Sequence, residues 1–407
     1  GFEAGGAVTT GVQNTLIGGL AADALTVGNY NLAIGQNALS SDTKGSKTTA
    51  VGQGALFTQN FTTATDTLNV AVGYDAGVSV TTGVFNTLLG GLAGDALTDA
   101  DHNVAIGEEA LGSDTLGSRS VAIGRTALFA QNFTTATDVY NVAVGYGAGA
   151  ANTTGIYNTF IGGLAGDSNT SGQRNVGVGL QALDFNTVGD ASVAVGTNAL
   201  RKQNPATNTD MYNVAVGDEA GAEITDGNSN TLVGGLAGDA ITGGDQNVAV
   251  GYLALTTLQT SDGNTAIGVA ALNDTSGADN TAVGRLAGYQ VTSGANNLAL
   301  GKDALRTGSP GGAVTTGSNV IGLGDENISS FNCQVALTVA SDERDKTDFV
   351  DLDLGLDFVK ALEPVTYYWD KRSKYGDKTA EDYDLEAQTP DGTHKEDWMD
   401  VGFKAQA

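Results

Sequence analysis

The chain has 407 residues, with 59 Gly, 4 Pro, 41% hydrophobic residues and a formal net charge of −27. That balance, with no Gly-X-Y period, excludes collagen and a disordered tract, and the acidic excess argues against nucleic acid or an anionic membrane as a partner. It favours solubility and leaves cation binding open. No run reaches transmembrane length, and the single Cys333 excludes an intrachain disulfide framework; it reads as a small packed residue.

The first residues already belong to a pattern. Gly1-Phe2-Glu3-Ala4-Gly5 aligns with Gly73-Tyr74-Asp75-Ala76-Gly77, and Thr9-Thr10-Gly11-Val12 aligns at the same offset with Thr81-Thr82-Gly83-Val84. The chain is therefore expected to start inside a repeat, with more protein upstream.

From Asn14 a short phrase returns, as in Asn103-Val104-Ala105-Ile106-Gly107. Eighteen copies begin at 14, 31, 48, 69, 86, 103, 120, 141, 158, 175, 192, 213, 230, 247, 264, 280, 297 and 318. Most steps equal the one from Asn86 to Asn103; the step from Asn264 to Asn280 is one shorter, and four steps are four longer. A fixed period in this range marks a repeat architecture.

Number the opening residue zero. Position four is Gly in all eighteen copies, and position three is Ile, Val or Leu. Position zero is Asn in fourteen copies and Thr48, Ser120, Ser192 or Ser318 in the others. Such a run reads as a short strand with positions one and three on one face. Position two is Ala or Gly in thirteen copies, so another backbone, of this chain or a second one, is expected close to it. Every fourth coil is bulky there (Leu16, Leu88, Phe160, Leu232) and carries a second Gly at position five, expected to make room. The invariant Gly suits positive φ or a close backbone approach. Stacked Asn, Ser and Thr side chains suit bonding to turn backbone and to each other.

One such unit cannot bury its apolar face alone, whereas a stack can. The expected fold is all-β, an elongated parallel β-solenoid over 1–330. At about 4.8 Å per coil the rod would be roughly 80–90 Å long.

The four longer coils place their extra residues equivalently, at Phe57–Leu68, Phe129–Tyr140, Arg201–Tyr212 and Arg306–Gly317. Insertions in a solenoid map to loops on one face, often the binding face. Phe61, Phe133 and Tyr140 are therefore candidate receptor contacts, with a sugar as one suitable ligand. The competing reading is packing against a neighbouring coil or chain, the commoner fate of such rings.

Residues 331–340 lose the Gly and suit a connecting strand. At Ser341 the composition turns to Asp, Glu and Lys. Leu352, Leu356, Val359 and Leu362 have helical spacing that ends before Pro364. Val365–Trp369 then reads as a strand, and 370–399 as loop.

Three weaker signals are rejected. Gly18-Gly19-Leu20-Ala21 and its copies lack a βαβ context for a nucleotide loop. Asp99–Asn103 resembles the start of a calcium loop, but Val104 stands where its Gly belongs. His102 and His394 are too few for a metal or triad. No cofactor is indicated, and no carboxylate pair for glycan hydrolysis stands out within one chain.

Two resemblances follow. The Asn/Ser-x-Ala-Val/Ile-Gly phrase, over about 14–325, resembles the head repeats of trimeric autotransporter adhesins and of many phage tail fibres. It implies a left-handed β-roll in a homotrimer, with small residues near the chain interfaces. Ser341-Asp342-Glu343-Arg344-Asp345-Lys346 resembles the start of the peptidase S74 intramolecular chaperone domain of phage tail spikes and fibres. Leu362-Glu363-Pro364-Val365-Thr366-Tyr367, Trp369 and Val401-Gly402-Phe403-Lys404-Ala405-Gln406 match further. This implies a partial α+β chaperone domain over 341–407, the family's later helices lying beyond Ala407.

It also implies that Ser341 is a nucleophile, Lys346 its base, and Ser341–Asp342 a self-cleavage junction formed after trimerisation. A lysine with a depressed pKa can deprotonate a neighbouring serine. The implied role is a virion tail fibre that attaches to a host receptor, docks on other tail or baseplate proteins upstream, and has at most single-turnover autoproteolysis. A cellular trimeric adhesin and a tail-spike depolymerase remain alternatives.

Overall fold

The computed structural model describes residues 1–332, 364–368, 375, 389–395 and 399–403. The chain divides into two compact units, Gly1–Phe331 and Asn332–Ala407.

The first unit is a parallel β-solenoid. Eighteen strands of three residues each form one sheet, one strand per coil. Each pairs in register with the next, as Val104–Ile106 does with Val121–Ile123 and that strand with Val142–Val144. No described residue is helical. The strand occupies positions one to three of the repeat. Its middle residue is buried and its two flanking residues face outward.

Position two therefore lies inside the chain's own coil, not at a neighbouring chain. Ala33, Ala105 and Ala249 are fully buried there. The opposite wall is the backbone at position seven, Ala in every coil from Ala21 to Ala304 and fully buried. The gap is narrow: a methyl on Gly177 would sit 3.2 Å from the Ala182 carbonyl oxygen. Small residues are required because two walls of one coil nearly touch.

The invariant glycine meets both demands anticipated for it. Gly107 has φ +130°, and a Cβ there would lie 2.6 Å from the carbonyl of Gly124 in the next coil. No L side chain fits that corner.

The room for a bulky position two comes from position eight, not position five. Ordinary coils pair Ala at two with Leu at eight, as Ala105 with Leu111, both fully buried. Coils with Leu88 or Phe160 at two carry Gly94 or Gly166 at eight, and a Cβ on either would collide with that side chain. The preceding coils contribute Gly77 and Gly149 in the same way. Core volume is thus exchanged between two positions rather than lost.

Leu111 has φ 54° and Glu109 φ 56°, a left-handed conformation that costs an ordinary residue about 1–2 kcal/mol. It turns the amides alternately along the stack. Glu109 N–H donates back to Gly91 O at 3.1 Å, and Leu111 N–H donates forward to Ala127 O at 3.0 Å. These inter-coil bonds satisfy the backbone where there is no strand.

Between the longer coils the asparagines form a buried ladder. Asn103 Nδ2 donates to Gly117 O at 3.0 Å within its coil. Its Oδ1 accepts the Ser120 N–H at 2.9 Å from the next coil. Asn86, Asn158 and Asn230 repeat the arrangement.

The last coil departs from the expected register. Leu298 pairs with Ile321, and Ala299 with Gly322. The final copy therefore begins at Val320, not Ser318, and its step is 23 residues. Gly322 takes position two and Gly324 position four. Ser318 instead accepts the Ala295 N–H at 2.9 Å.

In the second unit Pro364–Tyr368 pairs antiparallel with Met399–Phe403, with Thr366 opposite Val401. The strand expected at Val365–Trp369 is present one residue earlier. Its partner was not foreseen. The helix expected over 352–362 and the connecting strand over 331–340 lie outside the described residues, apart from 331 and 332, which are in no regular element.

Candidate functional site

Three of the four longer coils are tied to the coil before them by buried polar side chains. At the first, Asp42 of the preceding coil is fully buried. Its Oδ1 accepts the Gly45 N–H at 2.9 Å and the Phe61 N–H at 3.3 Å, and its Oδ2 accepts Gln59 Nε2 at 2.7 Å. Gln59 Nε2 also reaches Thr48 Oγ1 at 3.2 Å, and Gln59 Oε1 accepts Asn69 Nδ2 at 2.9 Å. Asp114, Gln131, Ser120 and Asn141 repeat the network. The third copy uses Asn186, Gln203, Ser192 and Asn213.

This explains the Thr and Ser at position zero. An Asn there would donate to the carbonyl at position fourteen, which the insertion carries outward. A short hydroxyl stands in its place, and Gln from position eleven supplies the missing amide.

The insertions themselves are clamped. Gly45–Ser46 pairs with Thr65–Asp66, Gly117–Ser118 with Thr137–Asp138, and Gly189–Asp190 with Thr209–Asp210. Lys47 is paired with Asp66, Arg119 with Asp138, and Arg174 with Asp210. Thr62, Thr63 and Ala64 at the tip are exposed.

This geometry decides what the three aromatic candidates present. Phe61 is 6% exposed and Phe133 9%. Each donates its own amide N–H to the buried Asp, and Pro205 stands buried in the third copy. Their rings are part of the packing. Tyr140 is 49% exposed, but Arg119 lies 5.7 Å over its ring and Tyr157 stacks on it at 6.0 Å. Phe85 and His102 stack at 4.7 Å in the same column. The column presents ring edges more than faces.

Half-buried carboxyls mark every fourth coil. Burial pushes Asp95, Asp167 and Asp239 above the usual carboxylate range, and neighbouring acids add to it: Glu109 and Asp75 at Asp95, Asp184 at Asp167, Glu219 and Glu223 at Asp239. Among the described residues no group of three or more His, Cys, Asp or Glu is placed to hold a metal. Ser341 and Lys346 lie outside the described residues.

Sequence reasoning missed the Asp42–Gln59 network. Its signal was present: Gln at position eleven recurs wherever position zero is Thr48, Ser120 or Ser192.

No curated protein matches the chain. Its C-terminal segment, 341–407, is similar to the peptidase S74 family, described as the chaperone of endosialidase.

Proposed function

We propose that the chain is part of a homotrimeric phage tail fibre, a virion component that contacts the host surface. Its C-terminal segment serves as an intramolecular chaperone. The observation that carries this reading is the chaperone-of-endosialidase match over 341–407, joined in one chain to a long β-solenoid. Ser341 acts as nucleophile and Lys346 as its base, and cleavage at Ser341–Asp342 releases the chaperone once three chains have met.

The physical logic supports the pairing. Non-local β-assembly is slow and exposes unpaired edges, so a folding aid that holds chains together is useful. Its removal afterwards leaves a trimer that is kinetically hard to unfold.

The solenoid offers a surface suited to trimerisation. Each of its eighteen strands places two residues outward, and every one of these is Val, Ile, Leu or Thr. In a chain of net charge −27, this face would bring no like charges into direct contact between copies. Sedimentation equilibrium of the full chain tests the reading. Three copies per particle are expected, and a monomer across the micromolar range refutes it. The receptor-contact role passes from Phe61 and Phe133 to the exposed insertion tips that they anchor, with Tyr140 at the edge.

A further inference from the structure

We propose that Arg285 of one copy of this chain enters a cavity on the next copy and pairs there with Asp279, once in each seam of the trimer. The proposal rests on the homotrimer reading. It goes beyond it by naming the side chain that joins neighbouring copies and the surface that receives it.

The cavity lies near the C-terminal end of the solenoid and measures about 340 Å³. Thr281, Leu298 and Ile321, the first residues of three successive strands, line its aliphatic side. Asp279, Asn296 and Asn319 line its polar side. These three stand one residue ahead of their coils' openings. In earlier coils the same column carries larger side chains, among them Phe85, Tyr140 and Tyr157.

The polar side offers acceptors that nothing in the chain uses. Asn296 Nδ2 donates to Asn319 Oδ1 at 2.7 Å, which leaves Asn296 Oδ1 open. Among the described residues no cation and no hydrogen-bond donor meets the Asp279 carboxylate. A free carboxylate and a free carbonyl oxygen beside an aliphatic wall suit a donor-only group carried on a hydrocarbon stem. An arginine is such a group: its guanidinium only donates, and its methylenes lie along apolar surface.

The other end of the same strand supplies one. Asp279 stands two residues before Thr281–Val283, and Arg285 two residues after it. Both are exposed. The other described arginines each have a carboxylate partner. Arg285 has none among the described residues, in a chain of net charge −27.

Symmetry brings the two ends together. Three copies that turn the same sheet face toward a three-fold axis meet edge to edge, the start of a strand on one copy beside the end of a strand on the next. A closed ring keeps the touching coils at one level, since a shift between copies would give an open helix. The Asp279 edge of one copy then meets the Arg285 edge of its neighbour, and the guanidinium finds a charged acceptor there. The same register sets Arg119 beside Arg125, but each of these is already neutralised in its own chain, by Asp138 and Glu108.

The test reverses the charges in the full chain, with Arg285→Glu and Asp279→Arg made singly and together. Both positions are exposed, and the column of Asp279 already carries Arg119 and Arg174 at the same positive φ. Each variant is therefore expected to keep its far-UV circular dichroism. By sedimentation equilibrium the wild type should be a trimer, and each single variant should lose trimer affinity by at least about tenfold. The double variant should recover most of that loss. Single variants as tightly trimeric as the wild type overturn the proposal and leave the cavity to another occupant, such as a sugar. A double variant no tighter than the single ones overturns it too. A monomeric wild type refutes the homotrimer reading itself.

A second readout does not depend on charge. In a Cys333→Ser background, a chain with both Asp279→Cys and Arg285→Cys should give a covalent trimer with a short bismaleimide, and chains with either cysteine alone should stay single under denaturing conditions. A trimer that yields no three-chain product overturns the proposal.

Discussion

Gln59 and Asp42, one coil apart in the chain, meet inside the solenoid. The Gln59 carboxamide donates to Asp42 Oδ2 at 2.7 Å, and both side chains are wholly buried. The contact joins two coils at the point where an insertion interrupts the asparagine ladder. Replacing Gln59 by Leu removes one donor from a buried carboxylate and the acceptor of Asn69 Nδ2. Each buried group left unpaired costs about 1–3 kcal/mol. Because repeat stability is local, hydrogen exchange is the suitable measurement. Amides of Gly45 and Phe61 should exchange faster in Gln59→Leu, and those of Asn247–Gly251 should not. Asp42→Asn should be milder, since Asn186 fills that place in the third copy.

Phe160 and Gly166 divide one volume. Phe160→Ala alone leaves a cavity and should cost about 3–5 kcal/mol. Gly166→Leu alone drives a side chain into the ring. The double variant recreates the Ala and Leu of an ordinary coil, where Leu183 already has φ 55°. It should be more stable than either single variant, a coupling that a double-mutant cycle by urea unfolding would read. Recovery should be incomplete, because Gly149 also clears space for the ring. Additive losses would contradict the exchange of volume.

Asp239 is a carboxyl that the fold tolerates rather than uses. Burial raises its pKa, and its Oδ1 is buried without a partner. A folded pKa above the unfolded value of about 3.9 means the folded state binds the proton more tightly. The contribution is fully favourable below the unfolded pKa and is lost as pH rises through the folded one. Asp239→Asn should therefore raise the thermal midpoint at neutral pH, with the gain vanishing at about pH 3. A gain independent of pH would contradict this assignment.

The period, the strand and the corner glycine were legible in the sequence because each coil repeats the same local chemistry. Position two was read as facing something close, but period-two alternation does not say which face is the core. The clearance for Phe160 was assigned to Gly163, its neighbour in sequence, whereas Gly149 and Gly166 supply it in space. Ser318-Asn319-Val320-Ile321-Gly322 matches the phrase in spelling, yet pairing with Leu298–Leu300 shifts it by two residues. Phe61 and Phe133 were placed on exposed loops because they lie in insertions, whereas the buried carboxylates of Asp42 and Asp114, a coil away in sequence, hold their amides inward.

The central claim joins a solenoid to a chaperone that removes itself, and the denaturing intact mass tests it most directly. The full chain, 41.0 kDa, would be compared with its Ser341→Ala variant after each has assembled. The account predicts two fragments from the wild type, divided between Ser341 and Asp342, and one uncut chain from the variant. A wild type that assembles and stays whole, or a variant that is cut as well, would contradict it.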